Sequence, residues 1–326
     1  MQVFLKLRNS LKLQTAQQSE DRIFMYDIII IGAGPAGLTA ALYALRADKS
    51  VLVLEKGTFG GQITYSPQIE NYPGFAQMSG NEFAEKLIDQ VLNQGAEIEM
   101  ETVTQIRDNG STKTVVTEEG EHEAKAVIIA TGVKHRQIGL PNENELVGEG
   151  ISYCAVCDGA FFKGQTVAVL GGGNSALQEA VLLSEGCKKV YVIQNLDYFT
   201  GEARLVEKLK EKDNVELIMG TVISELLGDK SLKGLKLIKE ADKSESVLDV
   251  DGLFVAIGLI PNNGAFAEIA GLDDWGYIDS DEACLTKTAG VFVAGDCRKK
   301  QIRQITTATA DGSVAALAAC RYIDSM

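Results

Sequence analysis

Short apolar runs that end in glycine recur along the chain and organise its reading. Residues 26–46, YDIIIIGAGPAGLTAALYALR, open with four isoleucines, pass through three glycines and continue with apolar positions at helical spacing. A run that is apolar at every position suits a strand buried on both faces of a parallel sheet, and the change of period after the glycines marks a helix. VLVLE (51–55) is the next strand, and AKAVIIATG (124–132) is a strand ending in a turn. QTVAVLGGGNSALQEAVLLSEG (165–186) repeats strand, glycines and helix, with KVYVI (189–193) as its second strand. GLFVAIGLIPN (252–262) and GVFVAGDC (290–297) are further strand-to-turn units, IKEADKSESVLDVD (238–251) reads as an exposed hairpin, and the chain closes on the alanine-rich TATADGSVAALAACRYI. Two βαβ starts, at Gly32 and Gly171, predict an α/β fold with two doubly wound, Rossmann-like dinucleotide-binding domains.

Composition narrows the function without choosing it. A chain of 326 residues with 45% hydrophobic content and 5 prolines is an ordinary folded protein, long enough for two domains. The net charge of −14 argues against non-specific nucleic-acid binding. No apolar run approaches the roughly 20 residues that span a bilayer, so no membrane segment is expected. The first 24 residues carry scattered basic groups without a continuous apolar core and read as a plain N-terminal extension, with Met25 directly before the first strand. Six cysteines do not make a disulfide scaffold in a chain of this size, and a cytoplasmic, reducing location is the default expectation.

Two stretches carry chemistry. Gly32, Gly34 and Gly37 form G-x-G-x-x-G between a strand and a helix, the context in which glycines let a backbone approach a pyrophosphate at the helix start. Glu55 ends the following strand and is placed to accept from a ribose hydroxyl. SYCAVCDG sets Cys154 and Cys157 two residues apart with Asp158 beside them. Such a pair can cycle between dithiol and disulfide. Zinc is the rival reading, but it wants four ligands; the other four cysteines are isolated, and His122 and His135 are not spaced with the pair. In thioredoxin the pair opens a long helix, whereas here it precedes the strand at 166–170. A flavin beside the pair would supply its electrons.

From Tyr26 to Ile323 the sequence resembles the low-molecular-weight bacterial thioredoxin reductases. The resemblance rests on IIIIGAGPAGLTAALYALR, GGQITYSPQIENYPGF (60–75), ATGVKHRQIGLP (130–141), YCAVCDG and VFVAGDCRKKQIRQITTATADG, all in order. It implies a homodimer in which an FAD domain, residues 25–135 and 263–326, is interrupted by an NAD(P)-binding-like domain, residues 136–262, carrying the cysteine pair. The FAD contacts it implies are Gly32, Gly34, Ala36, Gly37, Glu55, Gln62, Asn71, Asp296, Arg303 and Gln304. It also implies that Cys157 faces the flavin, that Cys154 attacks the disulfide of a thioredoxin-like protein, and that Asp158 donates a proton, as a carboxylic acid can.

The second fingerprint, Gly171, Gly173, Asn174, Ser175 and Ala176, keeps the glycine turn but not the family's next signal. The NADPH-dependent members place a His-Arg-Arg run and a further arginine after the next strand; here those positions read Gln194, Asn195, Leu196 and Thr200. Each missing arginine removes a charge-assisted contact to the 2′-phosphate, about 1.5–3 kcal/mol. No carboxylate ends the strand to select NADH, since Asp197 comes late. Three readings stay open at this point: an NAD(P)H-dependent reductase with altered nucleotide choice, a reductase fed by ferredoxin, or a diflavin enzyme with Tyr198 and Phe199 available for stacking. A flavin redox sensor without enzymatic activity is a more distant alternative. The basic cluster Arg298, Lys299, Lys300 and Arg303 reads either as a docking surface for an acidic partner or as a solvated edge.

Overall fold

The structure is a computed structural model that describes residues 24–66 and 69–326; the extension expected over 1–24 lies outside the described residues apart from Phe24. The first sheet begins with β1 (Met25–Ile31), β2 (Val51–Glu55) and β3 (Glu97–Met100), all parallel. β4 (Val103–Asp108), β5 (Lys113–Thr117) and β6 (Glu121–Ile129) continue it as an antiparallel meander, giving the order β3-β2-β1-β6-β5-β4. Ile28 and Ile30 face one apolar core while Ile29 and Ile31 face another, so both faces of β1 are covered and every position must be apolar.

The chain leaves this sheet through a short strand, β7 (Val133–His135), and builds a second one. β8 (Ile151–Ser152), β9 (Thr166–Leu170), β10 (Lys189–Ile193) and β11 (Val215–Ile218) belong to it. An antiparallel trio comes next, β12 (Thr221–Leu227), β13 (Gly234–Lys239) and β14 (Glu245–Asp249), before β15 (Gly252–Val255) completes the all-parallel order β11-β10-β9-β15-β8. β16 (Leu259–Pro261) pairs back on β7, and β17 (Val291–Val293) rejoins the first sheet beside β6. β6 serves both neighbours: its start pairs with β5, its end with β17. The architecture is thus an α/β fold with two Rossmann-like units, the strands of the second lying in sequence between those of the first.

The helix that opens each unit starts directly after a predicted glycine, Pro35–Arg46 after Gly34 (with Gly37 on its first turn) and Asn174–Ser184 after Gly173. The last helix, Ile305–Asp324, packs on Pro35–Arg46. Its small residues allow that approach: a Cβ on Gly312 would sit 2.3 Å from the Ala36 carbonyl oxygen. The expected hairpin is present as β13–β14, and β12 adds a third strand to it. Among the described residues no helix is long and apolar enough to cross a membrane.

Candidate active site

The first fingerprint turn is held by backbone crowding. Gly32 lies at φ +112°, and a Cβ there would meet the Ala130 carbonyl oxygen at 2.3 Å; a Cβ on Gly37 would sit 1.8 Å from the Gly32 carbonyl oxygen. Gly34 differs, because a Cβ on it would meet no protein atom closer than 4.0 Å. That glycine keeps open the face where the helix Pro35–Arg46 begins, with no side chain capping its first N–H groups.

Chain segments distant in sequence converge on this face. The Glu55 carboxylate accepts from the Ala33 N–H at 2.8 Å with one oxygen and from the Gly57 N–H at 2.8 Å with the other. A Cβ on Gly61 would lie 3.3 Å from the Gly34 Cα, which sets the turn carrying exposed Gln62 against the fingerprint. Asn71 Nδ2 donates to Gln304 Oε1 at 3.2 Å. Ala36 is buried and in reach of Gly295, where a Cβ would lie 2.8 Å from its own, and Asp296 comes directly after. Arg303 stacks over Tyr277 at 4.4 Å and donates to the Asp296 carbonyl oxygen at 3.5 Å. Asp296 Oδ1 is buried and accepts no hydrogen bond, and burial lifts its carboxyl to about 6. An open glycine face together with an unsatisfied buried acceptor fits a dinucleotide bearing hydroxyl donors, which FAD is.

Cys154 and Cys157 are joined as a disulfide around the single helical turn Ala155–Asp158. The Cys157 N–H donates to Cys154 Sγ at 3.2 Å. Ser152, whose role no sequence signal marks, links the pair to Asp158: its hydroxyl donates to Asp158 Oδ2 at 2.6 Å and accepts from the Cys154 N–H at 3.1 Å. Burial raises the Asp158 carboxyl above its ordinary range, against the lowering effect of the Ser152 hydrogen bond, and its Oδ1 is buried without a partner. Burial thus makes Asp158 easier to protonate than an exposed aspartate would be. Glu179 is a second unmarked residue; burial raises its carboxyl to about 7, and its Oε2 is buried without a partner. Ser152 opens the SYCAVCDG stretch, but the spacing does not show what its hydroxyl contacts. The His122 ring pairs with Glu101 at 2.9 Å and His135 stacks on Tyr153 at 4.9 Å.

The second fingerprint has the same architecture. Gly171 lies at φ +137°, with a Cβ only 2.4 Å from the Ala256 carbonyl oxygen and 3.1 Å from the buried Ala176. Gly173 precedes the helix in extended backbone, and Asn174 and Ser175 lie on its first turn, Ser175 exposed. The following loop folds back over it: the Thr200 and Gly201 N–H groups both donate to the Gly172 carbonyl at 2.9 Å, and Asn174 Oδ1 accepts from the Glu202 N–H at 2.7 Å. Gln194 turns inward, 5% exposed; its Nε2 donates to the Tyr198 carbonyl at 3.2 Å, and its amide lies against Gly172. It braces the loop, which its place at a strand end did not reveal. Asn195 and Leu196 are exposed, Arg204 pairs with Glu202 at 2.5 Å, and Phe199 packs against the core while Tyr198 is exposed.

The basic cluster at 298–303 is not a free surface. Arg298 is 2% exposed and, with Lys300, binds the buried carboxylate of Asp311 at 2.8–2.9 Å; Lys299 pairs with Asp279. Burial alone would raise the Asp311 carboxyl, but the hydrogen bonds from Arg298 and Lys300 hold it below its ordinary value. This network binds the loop after β17 to the last helix.

Known proteins agree with this geometry. Residues 26–312 match the family model for pyridine nucleotide-disulphide oxidoreductases. The chain is 42% identical to the thioredoxin reductase of Listeria monocytogenes over 94% of this chain and 96% of that one, and 39% identical to that of Bacillus subtilis over 94% and 97%. The crystal structure of the Streptococcus pyogenes thioredoxin reductase superposes with a TM-score of 0.90 at 38% identity, covering 94% of this chain and all of the other. With matches running nearly end to end in both chains, the protein belongs to the thioredoxin reductase family of pyridine nucleotide-disulphide oxidoreductases.

Proposed function

We propose that the protein is an FAD-dependent thioredoxin-disulfide reductase whose two domains divide near residues 135 and 263. The observation that carries this reading is the Cys154–Cys157 disulfide, set beside a buried, unsatisfied Asp158 carboxyl in a chain that keeps an open FAD-type glycine face. Gly32, Gly34, Ala36, Gly37, Glu55, Gln62, Asn71, Asp296, Arg303 and Gln304 would hold FAD, which in its reduced form would supply the electron pair that opens the disulfide. Asp158 gives a proton as the sulfurs become thiol and thiolate. The Cys154 thiolate attacks the disulfide of a thioredoxin-like protein, forming a mixed disulfide and releasing one partner sulfur as thiolate. Cys157 then attacks Cys154, which frees the reduced partner and restores the Cys154–Cys157 bond. Two copies form a homodimer in the cytoplasm.

The donor is a pyridine nucleotide at the second fingerprint, bound without preference for the 2′-phosphate, because Gln194 is turned inward and Asn195 and Leu196 offer no cation. The same lack of guanidinium groups supports reduced ferredoxin as a second reading. Anaerobic mixing of the FAD-loaded protein with NADPH, NADH or reduced ferredoxin, monitored at the flavin absorbance, separates them. Bleaching by NADPH and NADH at rates within about tenfold of each other supports the first reading. Bleaching by ferredoxin alone supports the second. A large preference for NADPH contradicts both.

A further inference from the structure

A single hydroxyl joins the redox turn to the strand before it. Ser152 ends β8, where it pairs in register with Phe254 of β15, and it is 5% exposed, so its place is set by the second sheet and not by the turn. Its Oγ accepts from the Cys154 N–H at 3.1 Å and donates to Asp158 Oδ2 at 2.6 Å; the Cys154 carbonyl oxygen, 3.4 Å away, is the longer alternative for the same proton. Within the turn, the Asp158 N–H donates to that carbonyl at 3.0 Å. Asp158 is therefore held twice around Cys154, by its backbone inside the turn and by its side chain through Ser152. A helical turn of four residues has no intrinsic stability, so its placing depends on contacts with fixed elements. The hydroxyl occupies only Oδ2 of the carboxyl, and Oδ1 is buried with no partner.

We propose that Ser152 is a positioning residue for proton transfer: by occupying Oδ2 it fixes the Asp158 carboxyl against the Cys154 backbone and leaves Oδ1 as the oxygen that carries the transferable proton. This rests on the reading of Asp158 as the proton donor of the Cys154/Cys157 pair. Opening the S–S bond takes the electron pair of the reduced flavin and one proton, and yields one thiolate and one thiol. The proton leaves Oδ1, and Asp158 becomes a carboxylate. A serine hydroxyl can donate to Oδ2 before and after that transfer, so the carboxyl keeps its place while its charge changes. Loss of the hydroxyl removes the hydrogen bond that opposes the effect of burial, and the carboxyl then keeps its proton to higher pH. The other titratable groups on the surrounding elements are Glu179, on the helix packed against the turn, and His135, Tyr153 and Glu143, of which His135 stacks on Tyr153 and Tyr153 donates to Glu143 at 2.8 Å. The Asp158→Asn variant separates their titration from that of Asp158.

The test uses FAD-loaded protein and two readouts. One is the titration of the Asp158 carboxyl carbon by 13C NMR, assigned by its loss in Asp158→Asn. The other is the pH profile of flavin reoxidation by oxidised thioredoxin after reduction with dithionite. Ser152→Ala is expected to move the titration up by about one pH unit and to slow reoxidation about tenfold, the loss of one hydrogen bond to a charged group. Ser152→Thr keeps a hydroxyl and is expected to stay within about threefold of the parent rate with the titration unmoved. Either readout at its parent value in Ser152→Ala overturns the proposal, since a merely structural serine would leave the titration in place. Should Ser152→Ala fail to fold, hydrogen exchange of the unsubstituted protein decides: a slowly exchanging Cys154 amide supports the hold of the hydroxyl on the turn, and one as fast as exposed Val156 overturns it. Failure of the functional reading looks different, as parent-like reoxidation in Asp158→Asn.

Discussion

Single residues divide into those whose role comes from type and spacing and those whose role comes from where the fold puts them. Gly32 and Gly37 belong to the first group, because no side chain fits at either position. Gly37→Ala would drive a Cβ against the Gly32 carbonyl oxygen, and overpacking of this kind costs about 1–3 kcal/mol or more. We expect the thermal midpoint to fall by about 5 °C or more with loss of bound FAD, read by calorimetry and flavin absorbance; an unchanged midpoint with full FAD would be inconsistent. Asp296 is legible only through a motif, and its physical reason is the unsatisfied Oδ1. Its replacement, Asp296→Asn, should weaken FAD binding by about 10–100-fold, the worth of one charge-assisted hydrogen bond. Retention of FAD equal to the parent on dilution would show that the carboxylate does not contact the cofactor. The contacts of Ser152 and the inward turn of Gln194 cannot be read in the sequence, because each depends on how a short turn folds back on its own residues.

At the scale of elements, the strands buried on two faces are the easiest to read, since β1 and β9 must be apolar at every core position. The meander β4–β5–β6 is legible only at its end. Lys113, Thr114 and Thr117 of β5 and Glu121, Glu123 and Lys125 of β6 break any continuous apolar run, although β5 itself is largely buried. The helix Gly80–Leu92 has a signal that the apolar pattern passes over, the capping box of Ser79 and Glu82 before it. The crossing strand β7 carries a titratable element. Burial lowers His135 from its ordinary 6.5 to about 4, and the ring stacks on Tyr153, next to Cys154. The folded state therefore favours the neutral ring: its contribution is complete above about 6.5 and is lost as pH falls towards 4, on the order of 3 kcal/mol. His135→Phe should flatten the fall of the thermal midpoint between those pH values. An identical fall in the variant would assign it to other groups.

At the scale of the molecule, the two-unit architecture is legible because a fingerprint occurs twice, at Gly32 and Gly171. The interruption of the first unit is not readable from local pattern, since β17 has three residues and its place beside β6 is a long-range pairing. The basic cluster shows the opposite case: cations adjacent in sequence form a buried network on Asp311 with one surface pair, so charge counting alone misplaces them. The characteristic feature of this chain is a full redox turn joined to a nucleotide unit that lacks the cations for a 2′-phosphate. The central claim is that electrons leave FAD through Cys154 and Cys157 to a thioredoxin disulfide, whatever the donor. The most direct test reduces the FAD-loaded protein anaerobically with dithionite, removes the excess, mixes it with oxidised thioredoxin and monitors the flavin absorbance by stopped flow. The parent protein is predicted to regain its absorbance as thioredoxin thiols appear, and the Cys157→Ser variant to stay bleached. Equal recovery in the variant, or no recovery in the parent, would contradict the account.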